Sequence, residues 1–241
     1  MRRGSYRERA VIVRTYDFGE ADRIVVFLTR TRGIVRGVAK GVRRANSRFG
    51  SRLQPFVELD VQFYKGRNLE SVTGADTVTF FGRLIDDYPR YTAASTILET
   101  AEKVSLGAES EGVYDRVLNA LAELNETGVV TPVLDAFLLN IMSDVGWPPS
   151  LFDCAQCGAP GPHEVFHAGA GGALCERCRL PGSATPDPET LHLMWQYIHV
   201  GAPAAAGQPT ARISEAHALT TAFVTFHLER RVQALSKFNE A

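Results

Sequence analysis

Four cysteines fall in one window of 25 residues, CAQCGAPGPHEVFHAGAGGALCERC. Cys154 and Cys157 form one C-x2-C pair, Cys175 and Cys178 a second, with 17 residues between the pairs. A C-x2-C turn aims both thiolates at one ion, while backbone N–H groups soften their charge. Four thiolates complete a tetrahedron and leave no open position for water or substrate. The expected centre is therefore one structural Zn2+ held by Cys154, Cys157, Cys175 and Cys178. Four free thiols, or a C-x2-C redox pair, account less well for the duplicated spacing.

Inside the same window, His163, Glu164 and His167 match H-E-x-x-H, the zinc metalloprotease pattern. That chemistry needs a helix, so that both imidazoles face the same way beside the glutamate. Gly161-Pro162 precedes the match, and Gly169, Gly171 and Gly172 follow it, which leaves no room for a long helix. A ribbon strand over Glu164–Ala168, with its turn at Gly169–Gly172, is expected instead. A histidine in place of one thiolate is a milder alternative. Neither a P-loop, a G-x-S-x-G elbow nor a deaminase signature occurs. Asp17, Glu20 and Asp22 surround Gly19 and read as a solvated turn in preference to an acidic metal site. With no catalytic set, the chain is not expected to be an enzyme.

Charge carries the second signal. The formal net charge of the 241 residues is −1, yet residues 1–52 hold 14 Arg/Lys against 4 Asp/Glu, and the rest is acidic. The stretch AKGVRRANSRFGSRLQPF has five cations and no carboxylate. Such a segment meets polyanions, of which nucleic acid is the usual one, or else forms a solvated face. No apolar run reaches the 18 residues that suggest a membrane span, and no signal peptide follows the basic start. Membrane partners are not expected, and the location expected is the cytoplasm. Disulfides are rare there, which favours the metal reading of the cysteines.

These groups need elements to position them. ERAVIVRTYDF, DRIVVFLT, GIVRGVAKG, PFVELDVQFYKG and LESVTGADTVTFF read as five short strands, the fourth alternating between Phe56, Glu58, Asp60, Gln62 and Val57, Leu59, Val61, Phe63. Gly19–Ala21 and Gly66–Asn68 are turns. Five strands in about 80 residues suggest a small closed barrel of OB type, which often binds oligonucleotides. Simple alternation along the first strand puts Arg14 on the face of Ile12 and Tyr16. Helical spacing follows at Ala94, Ile97, Leu98, Ala101, Val104 and at Val113, Val117, Leu118, Leu121, Leu124. Thr131-Pro132 and Asp187-Pro188 look like cap-and-proline starts of two further helices. A last helix runs from Ser214 into the 220s, with Leu219, Phe223 and Phe226 on one face. The fold class expected is multidomain α+β: an OB-fold barrel over 1–82, a helical domain over 83–149 and 181–241, and an inserted zinc ribbon over 150–180.

This order resembles the bacterial recombination and repair family RecO. FGEADRIVVFLTRTRGIVRGVAKGVRRANSRFGSRLQPF is similar to the family's N-terminal barrel in its E-x-D pair, its K-G step, its Ser after the basic run and its LQPF. CAQCG…GGALCERC resembles the zinc-bearing branch, and RRVQALSKF the usual ending. The resemblance implies a non-enzymatic recombination mediator, nucleoid-associated, that binds single- and double-stranded DNA and anneals complementary strands. It implies contacts with RecR and with the C-terminal tail of the single-strand-binding protein SSB. With RecR, often with RecF, such a protein helps RecA load on SSB-coated DNA. On that reading Arg14, Arg23, Arg36, Lys40, Arg43, Arg44, Arg48 and Arg52 neutralise phosphates without reading sequence. Tyr16, Phe18 and Phe49 have the shape to stack on bases, with barrel core the stronger expectation for Tyr16 and Phe18 and even for Phe49, which sits among charges. An RNA-binding or transcription-associated adaptor with the same barrel and ribbon is the alternative.

Overall fold

The structure is a computed structural model that describes residues 4–47, 49, 52–105, 111–228 and 232–239. The chain divides into two compact units, residues 1–126 and 127–241. In the first unit, β1 (Ser5–Phe18), β2 (Asp22–Thr29), β3 (Gly33–Ala39), β4 (Val57–Tyr64) and β5 (Glu70–Phe80) close a barrel in the order β1-β2-β3-β5-β4. Antiparallel ladders join β1 to both β2 and β4. The β3–β5 seam is a short parallel pairing of Gly37 with Glu70 and Val38 with Ser71. This is the expected OB-type arrangement.

The barrel closes around inward side chains that include Ile12, Val25, Phe27, Leu59, Val61 and Phe63, all at 0% exposure. The alternation read for β4 holds from Val57 to Phe63, but Phe56, read into the polar row, precedes the strand at φ +64° and is 1% exposed. Gly37 is glycine for a packing reason: a Cβ there would come within 2.9 Å of the Val72 side chain.

The face expected for Arg14 needs correction. The register of β1 against β2 shifts between Ile12, opposite Phe27, and Arg14, opposite Val26. One residue of bulge reverses the facing of everything after it. Ile12 is core, whereas Arg14, Tyr16 and Phe18 lie on the outer face.

Helices α1 (Tyr88–Val104) and α2 (Glu111–Thr127) belong to the barrel's unit. Glu58 points outward from β4 yet is 6% exposed. Its carboxylate accepts from Arg9 Nε and Nη2 at 3.1 and 2.7 Å, from Thr79 Oγ1 at 2.9 Å and from the Tyr114 hydroxyl at 3.1 Å. A buried charge with that many donors is tolerated, and here it pins α2 to the barrel wall. Burial, then the Glu58 charge, hold the Tyr114 hydroxyl protonated, well above the usual phenol range.

The second unit contains α3 (Val130–Asp144), the ribbon strands β6 (Val165–His167) and β7 (Gly172–Leu174), α4 (Pro188–His199), α5 (Thr210–His227) and α6 (Gln233–Asn239). Asp187 caps α4 as expected, accepting from Glu189 N at 2.9 Å. The Thr131 cap is a misreading, because α3 begins after Val129 with no side-chain cap. Pro132 falls in the first turn, where no intrahelical N–H is needed, so proline does not mark the boundary. On α5, Leu219 and Phe223 are buried but Phe226 is 57% exposed. The end of α5 outruns the helical core, and the Phe226 ring lies over the ribbon instead, where a Cβ on Gly169 would come within 2.9 Å of it.

A hydrogen-bonded carboxyl–imidazole pair ties three helices together. Asp135 of α3 is fully buried, with Oδ1 2.6 Å from His217 Nδ1 on α5, and His217 Nε2 is 2.8 Å from Asn239 Oδ1 on α6. Burial works to lower the His217 pKa, but the Asp135 hydrogen bond and charge outweigh it and raise the imidazole above its ordinary value. Burial also raises the Asp135 carboxyl, against the opposing pull of His217. A raised histidine stabilises fully below its unfolded value, about 6.5, and that stability is lost as pH rises through the folded value. The thermal midpoint of the wild type should therefore fall as pH is raised from about 6.5. The curve should flatten in His217→Gln, and parallel curves for the two proteins would count against this coupling.

Candidate metal centre and nucleic-acid interface

The ribbon is held by short-range backbone contacts. β6 pairs with β7, Cys154 N donates to Ala159 O at 2.9 Å, and Cys178 N donates to Cys175 O at 2.9 Å. Gly172, at φ +138°, presses on the preceding segment so closely that a Cβ would sit 2.0 Å from Ser150 O. Only glycine satisfies both demands.

This scaffold brings the four cysteines together. The Sγ atoms of Cys154, Cys157, Cys175 and Cys178 all lie within 4.8 Å of one another. Cys157 Sγ and Cys175 Sγ are 3.8 Å apart. A tetrahedron with metal–sulfur bonds of about 2.3 Å has edges of about 3.8 Å, so the sulfurs fit a single ion. Backbone N–H groups, first that of Cys175 and then those of Cys157 and Gln156, lower the Cys154 thiol to about 6. The Cys178 S–H donates to the neighbouring sulfurs, Cys175 first and then Cys157, which together with burial pushes its thiol up to about 12. Sulfurs this crowded suit a divalent cation, which removes the repulsion between their charges.

His163 and His167 stand apart from this group. His163 Nε2 is 2.9 Å from Ala159 O, and His167 Nδ1 accepts from Ala170 N at 3.1 Å. His167 ends the strand β6, so the H-E-x-x-H match lacks the helix its chemistry needs. Asp17 and Asp22 are likewise engaged elsewhere, the first with arginines and the second accepting from Gly41 N at 2.8 Å.

The predicted phosphate ligands fall into two sets. Arg36 lies on the outer face of β3, and Lys40 and Arg44 follow in the loop; all three are exposed, with no ion pair among the described residues. The others are partnered. Arg14 Nη2 is 2.7 Å from the Glu102 carboxylate of α1, which is 7% exposed at its side chain. Arg23 and Arg43 share Asp17, at 3.2 and 3.6 Å. Arg52 donates to Phe49 O at 3.0 Å and to Ala75 O at 2.9 Å, a clamp on the loop. Arg48 lies outside the described residues.

The core expectation fails for Tyr16 and Phe18, and the even choice for Phe49 falls to the core. Phe49, set among charges, is 1% exposed and packs in the barrel core, while Tyr16 and Phe18 are 43% and 49% exposed. Two cations were missed. Lys65 and Arg67 are exposed on the turn between β4 and β5, which ends where Glu70 meets Gly37 of β3. Their signal in the sequence was the pair of basic residues in YKGRN, a hairpin turn on a barrel whose loops bind ligands.

No helix among the described residues is long and apolar enough to cross a membrane. Two family models match the chain: Recombination protein O N terminal over residues 1–81, and Recombination protein O C terminal over residues 85–236. Between them they take in the barrel, the ribbon and the helices. A basic OB-type barrel, a four-cysteine centre and these two matches lead to one conclusion: the chain belongs to the recombination protein O family, mediators of DNA recombination and repair.

Proposed function

We propose that this chain binds single- and double-stranded DNA on the outer β1–β3 face and the loop after β3, and anneals complementary strands there. The observation that carries the reading is the set Arg36, Lys40 and Arg44, exposed and with no ion pair among the described residues, on an OB-type barrel. Cations without a carboxylate partner are the ones able to exchange counterions for phosphates. Lys65 and Arg67 extend the same surface. Annealing then follows from charge: two strands held on one basic surface repel each other less while their bases search for partners.

In this proposal the protein makes contacts and breaks no bond, so it is not an enzyme. It acts at the nucleoid in the cytoplasm, with RecR and often RecF, to help RecA load on strands covered by SSB. The SSB tail is placed in the helical part. A cavity of about 560 Å³ there, lined among others by Leu151, Phe152, Leu191 and Trp195, offers an apolar seat, although Glu189, which also lines it, opposes an acidic peptide. The ion is Zn2+, which four thiolates in a closed tetrahedron favour and which would act as a staple. The functional division we propose is a DNA-binding barrel over 1–82, a helical part over 83–149 and 181–241, and a ribbon over 150–180, with α1 and α2 packed in the barrel's compact unit.

The test is annealing of two complementary strands, each coated with SSB, followed by a fluorophore–quencher pair. The chain should accelerate duplex formation, and the acceleration should fade as salt rises. No acceleration at any salt concentration would sink the annealing reading, and strong RNA binding without annealing would favour the adaptor.

A further inference from the structure

The outer face of β1, β2 and β3 carries two cross-strand rows with different chemistry. One row is Arg14, Val26 and Arg36, in register across the three strands. The next is Tyr16, Ile24 and Val38, also in register. Tyr16 is exposed, and Ile24 and Val38 are half-buried, so the second row is an open apolar strip. Phe18 continues it along β1, two residues on and on the same face. An apolar strip bordered by arginines on a sheet surface matches a nucleic-acid strand, whose bases are apolar on their faces and whose phosphates are anionic.

The Tyr16 ring is also held in place. The Arg14 guanidinium lies over it, 5.0 Å from the ring centroid. Arg14 is in turn fixed by the buried Glu102 carboxylate at 2.7 Å. A charge-assisted bond to a buried acceptor leaves Arg14 little freedom, so the ring is ordered before any ligand arrives.

We infer that Tyr16 and Phe18 are stacking positions for unpaired nucleobases, with Arg36 taking a flanking phosphate and Arg14 acting as a positioning residue for the Tyr16 ring. This rests on the DNA-binding reading above and adds to it a preference for single strands. Bases in a duplex are stacked on each other and do not offer their faces. Stacking tolerates any sequence, because every base has a π-face, and it adds affinity without releasing counterions.

The test measures anisotropy with three labelled ligands: a single strand, a duplex of the same length, and a single strand of abasic sugar-phosphates. Wild type is compared with Tyr16→Ala, Phe18→Ala and Tyr16→Phe. Each alanine variant should lose about tenfold or more in affinity for the base-bearing strand, with its salt slope unchanged. Both should bind the duplex and the abasic strand as wild type does. Tyr16→Phe, which keeps the ring, should match wild type throughout. Equal losses on all three ligands, or no loss on the base-bearing strand, would overturn the stacking role and leave the basic surface standing. A wild type that binds none of the three overturns both readings.

Discussion

Removing the metal should unfold the ribbon and leave the barrel folded. The four sulfurs come from two short turns, and the strands between them, Val165–His167 and Gly172–Leu174, have only three residues each. The buried core of this region is small, with Cys154, Val165 and Leu174 at its centre. Such a segment cannot offset its own conformational entropy, so metal binding and local folding share one free energy, about 10–16 kcal/mol in zinc-finger peptides. In hydrogen–deuterium exchange, a strong chelator should expose the amides of residues 150–180 first. Those of Ile12, Phe27 and Leu59 should stay protected. Cys175→Ser should produce the same pattern without a chelator, and metal analysis of the wild type should find one zinc per chain. Full protection of the ribbon in the stripped protein would show that the thiols pack without an ion.

The second large effect separates cations that look alike in the sequence. Replacing Arg36, Lys40 and Arg44 together by alanine should remove three phosphate contacts. Each contact to a single strand contributes about 0.7 to the salt slope, so the slope should flatten by about 2 and affinity near 0.1 M salt should fall about 100-fold. Replacing Arg23 and Arg43 should do less, because both already face Asp17. Arg52→Ala should act through stability instead, by about 1–3 kcal/mol, since it removes the side-chain donor to Ala75 O and one of the two donors to Phe49 O, whose other donor is the backbone N–H of residue 52.

Much of this is legible in the sequence, for physical reasons that differ by element. The cysteine spacing sufficed because a C-x2-C turn is a local geometry. β4 was readable because its outward row is polar and its inward row apolar, residue by residue. The face of Arg14 was not, because Ala10, Val11, Ile12 and Val13 are all buried, on both faces of the strand. A run apolar on both sides hides a one-residue bulge. Phe49 was evenly poised because its sequence neighbours are charged, whereas its ring packs in the barrel core. The division of the cations into free and paired depended on register: nothing in the order of residues announces that Asp17 sits opposite Arg23, or that Glu102 reaches Arg14 from 88 positions away. The last turn of α5 was misassigned because helical spacing continues past the end of the core it packs against.

The most direct test of the central claim, that the unpaired cations of the barrel are the DNA surface, is the salt dependence of single-strand affinity. Wild type would be titrated by fluorescence anisotropy beside the Arg36→Ala, Lys40→Ala, Arg44→Ala triple variant, with circular dichroism to show that both are folded. Tight, sequence-blind, steeply salt-dependent binding by the wild type, with a weaker and flatter response in the folded variant, is the result predicted here. Equal affinity and equal slope for the two proteins would contradict it, and would move the DNA surface off the barrel face that these residues define.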